Sequence, residues 1–443
     1  MPTVSLSPHI LYIFHNESSL THSISSVKKM SFFDHIVKAP PNAIFHTTTR
    51  YKNDSSKLKV NLGVGAYRDE NGKPWILPTV LQAETEILED VKSGKSNHEY
   101  LPITGLQEFV DGAIGLVYGK DSAYVKDGRV QGVQALSGTG ALRLGATFVG
   151  KHYMAAGKPV VYLSDPTWSN HVKIFNNAQC ETRTYRYYDP KTRGLDLKGM
   201  LEDLSNAPRG SVILLHACAH NPTGVDPSPE EWKQIRDVVK SRRLFPFFDT
   251  AYQGFASGSP ERDAIAIRIF AESNMSMLVA QSFAKNFGLY NERAGVLHIM
   301  CQTKDAAIAC KSRIALIVRA MYSNPPNHGA RIVAKTFSNP KLYAQWQQDI
   351  RTMSGRINKM RHALVKALKE EGAPGTWKHI TDQIGMFSYT GLTPQQVQHC
   401  EKKYSIYMLS TGRISMAGLN ESNVQHVAKA IADAVKTYPF TKM

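Results

Sequence analysis

The sequence predicts an α/β protein: a mostly parallel sheet flanked by helices, with a smaller α+β domain built from both chain ends. From about residue 76 onward, short apolar runs alternate with longer segments of helical period, the pattern left by a parallel sheet with crossover helices. Past about residue 325 that alternation gives way to long helical periodicity, as expected of a second domain. At 443 residues, 42% hydrophobic and 20% charged, the chain is long enough for both.

Taken in order, residues 1–30 read as a disordered N-terminal extension. The first 29 hold seven serines, one acid (Glu17) and no Arg, whereas transit peptides are Arg-rich and amphipathic. Met30, just before Ser31-Phe32-Phe33, stands as a plausible effective start. Residues 31–75 belong to no complete βα unit and are assigned to an N-terminal arm and part of the small domain. The large domain is set at 76–325 and the rest of the small domain at 326–443.

Within the large domain the candidate strands are Gly132 to Leu136, Pro159 to Leu163, Ser211 to His216, Leu244 to Phe248, Met277 to Ala280 and Ala294 to Met300. Several lack polar alternation and are expected to be buried on both faces. A helix should start at Ser228-Pro229-Glu230-Glu231, where Ser caps, Pro takes the first helical position and the acids suit the dipole. In the small domain Trp346, Ile350, Met353, Ile357, Met360, Leu364 and Leu368 recur at steps of three and four, marking one long helix.

Composition narrows function. No apolar run approaches the roughly 18 to 20 residues of a membrane-spanning helix, and the chain reads as soluble. The five cysteines are scattered and in no CxxC spacing, which predicts free buried thiols, a reducing compartment and no metal site. The net charge of +16 is spread over pairs such as Lys28-Lys29 and Lys402-Lys403. Nucleic-acid binding calls for a block of such residues, so diffuse attraction of anionic substrates and cofactors is the better reading.

The chemistry-bearing motifs sit at the ends of candidate strands, where α/β sheets bind ligands. Ser137-Gly138-Thr139-Gly140 opens a helical stretch and would point backbone amides and hydroxyls at an anion; such a turn is also common as plain structure. His216-Ala217-Cys218-Ala219-His220-Asn221-Pro222 follows a strand and offers the Asn221 amide to a phenolic oxygen, or is simply an Asn-Pro turn. Phe247-Phe248-Asp249-Thr250-Ala251-Tyr252 ends an apolar strand on a carboxylate, which is costly to bury without a cationic partner. Ser282-Phe283-Ala284-Lys285, with Arg293 beyond it, places an amine where it could join an aldehyde whose phosphate its neighbours hold.

Together, in this order and at these intervals, the motifs resemble aspartate aminotransferase, a fold-type I enzyme family that uses pyridoxal 5′-phosphate (PLP), and the resemblance runs from about Phe32 to the C-terminus. It implies a seven-stranded sheet in the large, PLP-binding domain. It further implies that Lys285 carries PLP as a Schiff base and later shuttles a proton between the substrate α-carbon and the cofactor, making Lys285, Asp249 and Tyr252 the catalytic set. Asp249 would pair with the pyridine nitrogen, supported by His171 and His216 from behind. Asn221 and Tyr252 would hold the ring oxygen, and Trp168 would stack on the ring face. Ser137, Gly138, Thr139, Ser282 and Arg293 would bind the phosphate, joined by Tyr100 from a neighbouring subunit.

Substrate choice is implied for two arginines, because two guanidinium forks suit a dicarboxylate. Arg413 would take the α-carboxylate and Arg319, reaching in from the neighbouring subunit, the side-chain carboxylate. Gly65 and Phe387 would line the substrate side. The expected reaction is ping-pong transamination of L-aspartate with 2-oxoglutarate in an obligate homodimer. One rival is an aminotransferase preferring aromatic amino acids. Another is a basic nucleic-acid or acidic-lipid binder on a relic of the fold, which would be colourless where a PLP enzyme is yellow. The family has cytosolic and mitochondrial members; net charge leans mitochondrial, while the Arg-free leader and Met30 favour the cytosol.

Overall fold

The computed structural model describes residues 32–40, 43–153 and 157–439, so the extension read over 1–30 lies outside the described residues. Two compact units separate, Met1–Asn42 and Ala43–Met443. Among the described residues of the first, a turn over 32–35 is closed by Ile36 N donating to Phe33 O at 2.9 Å.

The second unit is organised around a seven-stranded sheet. In chain order its strands are β1 (Val130–Leu136), β2 (Val160–Asp165), β3 (Glu181–Arg186), β4 (Val212–His216), β5 (Phe245–Thr250), β6 (Met277–Ser282) and β7 (Ala294–Met300). Their spatial order is β1-β7-β6-β5-β4-β2-β3. Neighbours from β3 through β6 run parallel, and β7 is antiparallel to both β6 and β1.

Every residue of β4, β6 and β7 is buried. Helices cover both faces there, which is why these strands read as unbroken apolar runs. The six expected strands are all present, with ends shifted by up to two residues. β3 was not anticipated: it is the sheet edge, with sequence ETRTYR, and only Tyr185 is buried. An edge strand facing water carries no apolar run to detect.

The helix after β4, Pro229–Ser241, begins as its sequence dictates. Ser228 Oγ accepts from Glu231 N at 3.3 Å while Glu231 Oε2 accepts from Ser228 N at 2.7 Å, a reciprocal cap of two otherwise unpaired amides. Trp232, Ile235 and Val239 then face the core. Farther on, Pro340–Glu370 forms a single 31-residue helix capped by Asn339, and all seven of its periodic apolar residues are buried.

Two short ladders tie distant parts of the chain together. Val60–Asn61 pairs parallel with Ile406–Tyr407, and Phe387–Tyr389 pairs antiparallel with Arg413–Ser415. Strands of two or three residues are too brief to leave a sequence pattern, yet the second ladder brings Phe387 and Arg413 side by side. All five cysteines are free; four are buried, but Cys310 is only half-buried, against the expectation that all would be.

Candidate active site

The carboxyl ends of the central strands deliver the reactive side chains. β5 ends in Asp249-Thr250 with Tyr252 just beyond, β6 ends at Ser282 with Lys285 three residues on, and β1 runs directly into the helix Ser137–His152. Ser137, Asp249, Tyr252, Ser282 and Lys285 line one cavity of about 220 Å³. Lys285 and Asp249 both line it.

Asp249 is buried and would carry a heavy desolvation cost without partners. Burial pushes its carboxyl up, but the hydrogen bond from His171 and the nearby charges of His171 and Lys285 outweigh that and hold it below the usual carboxylate range. His171 Nε2 lies 3.0 Å from Asp249 Oδ2, and its Nδ1 lies 2.8 Å from Thr167 Oγ1, which in turn lies 3.3 Å from His216 Nε2. Burial, helped by the neighbouring His171, pushes His216 down to about 3, so it stands neutral in this chain. His171 is fully buried behind the carboxylate, while His216 touches both the relay and the cavity wall.

Lys285 is half-buried, and its Nζ sits 5.0 Å from the centroid of the Tyr252 ring. Burial lowers its pKa, with Arg293 adding to the effect and Asp249 opposing it. A larger share of the amine is therefore neutral and nucleophilic than on a surface lysine. Burial also pushes the Tyr252 hydroxyl up, keeping it protonated and able to donate.

At the start of the helix Ser137–His152, Ser137 adopts φ 59° and its Oγ lies 2.9 Å from Ser282 Oγ. Ser137 N donates to Arg293 O at 3.1 Å, and Arg293, itself at φ 53°, donates from Nη1 to Tyr290 O at 2.6 Å. A Cβ on Gly138 would approach Ser282 Cβ to 3.0 Å, so a side chain here would push Ser282 away by a few tenths of an ångström. With Thr139 alongside, two serine hydroxyls, a guanidinium and the amides of a helix N-terminus converge, a donor set suited to a phosphate.

Across the cavity, Arg413 is 3% exposed. Its guanidinium carbon lies 4.0 Å from the Phe387 ring centroid, Nη2 donates to Gly63 O at 2.9 Å, and Nη1 donates to Asn221 Oδ1 at 3.3 Å. The Nε hydrogen has no partner among the described residues. Burial brings its pKa down to about 10, leaving it charged at neutral pH without a carboxylate beside it. The hydrogen bond to Asn221 Oδ1 leaves the Asn221 Nδ2 hydrogens available. Gly65 lies against Phe387, where a Cβ would approach Cζ to 3.1 Å. Trp168 lines the cavity with its ring edge-on to His171 at 5.1 Å.

Two predicted residues lie elsewhere in this chain. Tyr100 is 82% exposed, and Arg319, near the end of the helix Lys304–Met321, donates from Nη1 to Ser323 Oγ; neither lines the cavity. Their segments are nevertheless neighbours, since Asn324 Nδ2 donates to Leu101 O at 2.6 Å. Sequence reasoning did not single out Tyr290, which lines the cavity and accepts at its hydroxyl from Tyr67 N at 2.8 Å. It stood inside the Lys285 motif without a role, because its partner is 223 residues away. Cys218, another lining residue, was visible only as part of a motif centred on Asn221.

The cavity fits the PLP that the sequence resemblance implies. A half-buried amine with lowered pKa suits its aldehyde, a buried ionised carboxylate its ring nitrogen, and the cradle around Ser137 and Ser282 its phosphate.

Comparisons with known proteins agree. A family model described as aminotransferase class I and II matches residues 57–431. An Arabidopsis thaliana protein named aspartate aminotransferase 3, chloroplastic, is 51% identical over 401 residues, covering 90% of this chain and 88% of that one. The solved aspartate aminotransferase from Saccharomyces cerevisiae cytoplasm superposes with a TM-score of 0.89 at 48% identity, covering 92% of this chain and 99% of that one. An aromatic-amino-acid aminotransferase from Burkholderia pseudomallei, solved covalently bound to pyridoxal phosphate, gives 0.88 at 43% identity, covering 91% and 100%.

Proposed function

The chain belongs to the aminotransferase class I and II family, and we propose that it is a PLP-dependent aspartate aminotransferase, reversibly converting L-aspartate and 2-oxoglutarate to oxaloacetate and L-glutamate. The observation that carries this reading is the placing of a half-buried amine, a buried carboxylate and a buried, carboxylate-free guanidinium around one cavity: Lys285, Asp249 and Arg413.

When bound, PLP supplies an electron sink for the charge left on a substrate carbon that loses a proton. The chain does the rest. Ser137, Gly138, Thr139, Ser282 and Arg293 hold the phosphate, together with the partner subunit's Tyr100. Asp249, kept ionised by its hydrogen bond with His171, would pair with the ring nitrogen. Asn221 Nδ2 and the Tyr252 hydroxyl would donate to the ring oxygen, and Trp168 would pack against the ring. Lys285 Nζ takes up the proton from the substrate α-carbon; its lowered pKa leaves more of the amine neutral and able to accept one than on a surface lysine.

Arg413 takes the α-carboxylate, for which its guanidinium carries unspent charge and an unpartnered Nε hydrogen. The partner subunit's Arg319 takes the second carboxylate, so the working unit is a homodimer with shared sites. We favour a cytosolic location, on the likeness to the yeast enzyme, although a relative named for the chloroplast is as similar. Cell fractionation decides between compartments.

A coupled assay of the purified protein with aspartate and 2-oxoglutarate, with and without added PLP, tests the activity. Turnover that depends on PLP and prefers aspartate to phenylalanine is expected. A preference for phenylalanine would move the assignment to aromatic substrates.

A further inference from the structure

Arg361 is a charge where the fold expects an apolar residue. It lies four residues after Ile357 and three before Leu364, on the buried stripe of the long helix, and it is 1% exposed. No carboxylate pairs with it among the described residues. Its guanidinium instead donates to three backbone carbonyls: Nη1 to Ile380 O at 2.7 Å, Nη2 to Gly385 O at 2.8 Å and Nη2 to Phe387 O at 2.5 Å. A buried cation without a counter-ion is expensive, and burial brings its pKa down to about 9. A methionine could fill the volume without that cost, so the fixed fork of donors is what the position uses.

The three carbonyls belong to one segment, 380–387, whose other side meets the substrate wall. Ile384 N donates to Gly224 O at 2.7 Å, and a Cβ on Gly385 (φ 79°) would come within 2.3 Å of Ala219 Cβ; both contacts are with the loop that carries Asn221. Met416 N donates to Met386 O at 2.8 Å, and Phe387–Tyr389 pairs with Arg413–Ser415 in the register Phe387 to Ser415 and Tyr389 to Arg413. Phe387 in turn carries the Arg413 guanidinium on its ring.

We propose that Arg361 is a positioning residue for substrate carboxylate binding: by clamping 380–387 from behind, it fixes the place of Phe387, and through it the guanidinium of Arg413. The proposal rests on the reading that Arg413 receives the α-carboxylate. It makes Arg361 responsible for affinity, with the cofactor and the proton transfer at Lys285 left as they are.

The test uses the PLP-loaded protein and its Arg361→Met, Arg361→Lys and Arg413→Met variants. Succinate, a dicarboxylate that cannot react, is titrated by calorimetry; KM and kcat for aspartate and the Kd for PLP are measured alongside. Arg361→Met is expected to raise the succinate Kd and the aspartate KM roughly tenfold, as a small misplacement of a binding group does, with kcat and the PLP Kd within about twofold of the parent. Arg361→Lys, which keeps the charge but loses the fork, should show the same split at smaller amplitude, and it decides the matter if the Met variant does not fold. Unchanged succinate binding in a folded Arg361 variant, or a fall in kcat and PLP affinity in step with KM, overturns the proposal. If Arg413→Met leaves succinate binding intact, the carboxylate assignment itself is at fault. Lost binding in Arg413→Met with parental binding in both Arg361 variants faults the positioning role alone.

Discussion

His171 Nε2 stands 3.0 Å from Asp249 Oδ2, both side chains buried, at the floor of a cavity that also receives Lys285. The pair keeps a negative charge in a place where burial alone would neutralise it. Asp249→Asn should therefore cost roughly a hundredfold or more in kcat/KM, and His171→Asn, which removes support but leaves the carboxylate, roughly tenfold. Equal losses in the two variants, measured under the same conditions, would mean that the carboxylate has no role beyond its hydrogen bond to His171.

Burial also shapes the response of stability to pH. His216 and His298 are pushed down to about 3 and His379 to about 4, each chiefly by burial. Below the ordinary histidine range the unfolded chain takes up protons that the folded chain refuses, so stability is full above about pH 6.5 and drains as pH falls toward 4. Asp226, raised by burial to about 6, and Asp263, also raised by burial, work in the opposite sense, but as two groups against four, since His220 is pushed down by burial as well. The urea midpoint of the apo-protein should be lower at pH 5 than at pH 7.5. A midpoint that holds steady or rises on acidification contradicts the assignment of these histidines as neutral in the fold.

How much of this was readable in the residues follows from burial. β4, β6 and β7 could be seen because they are buried on both faces, and β3 could not because its side chains mostly face water. The motifs around Ser137, Asn221, Asp249 and Lys285 stand out because strand ends carry polar residues straight after apolar ones. Tyr290 and Arg361 gave no such signal: one acts through an amide 223 residues away, and the other looks like a surface charge on a helix until its three carbonyl partners are in place.

Arg413 is held by Phe387, Asn221 and Gly63 with no carboxylate of its own, so a substrate carboxylate completes it. Removing one partner of a buried charge pair costs about 2–5 kcal/mol, so Arg413→Leu should lower kcat/KM for aspartate by roughly 30- to 5,000-fold. Arg413→Lys should recover little, since a single ammonium cannot replace the fork. Near-complete rescue by lysine would mean that charge alone suffices there.

Tyr100 and Arg319 lie outside the cavity of their own chain, and a shared site predicts complementation. Chains carrying Lys285→Ala and chains carrying Arg319→Ala, each inactive on aspartate alone, should regain activity when mixed and reassociated. Random pairing makes half of the dimers hybrids with one intact site of two, so roughly a quarter of parental activity should return. No recovery in a mixture shown to contain hybrid dimers would place Arg319 outside the partner's site.

In the proposed site the amine of Lys285 is the point of attachment for the cofactor, and its chemistry can be read directly. Loading the protein with PLP, reducing it with borohydride and mapping its peptides by mass spectrometry asks where the cofactor is attached. The added mass should fall on the peptide containing Lys285 and vanish in Lys285→Ala, and attachment at another lysine, or none at all, would contradict the site described above.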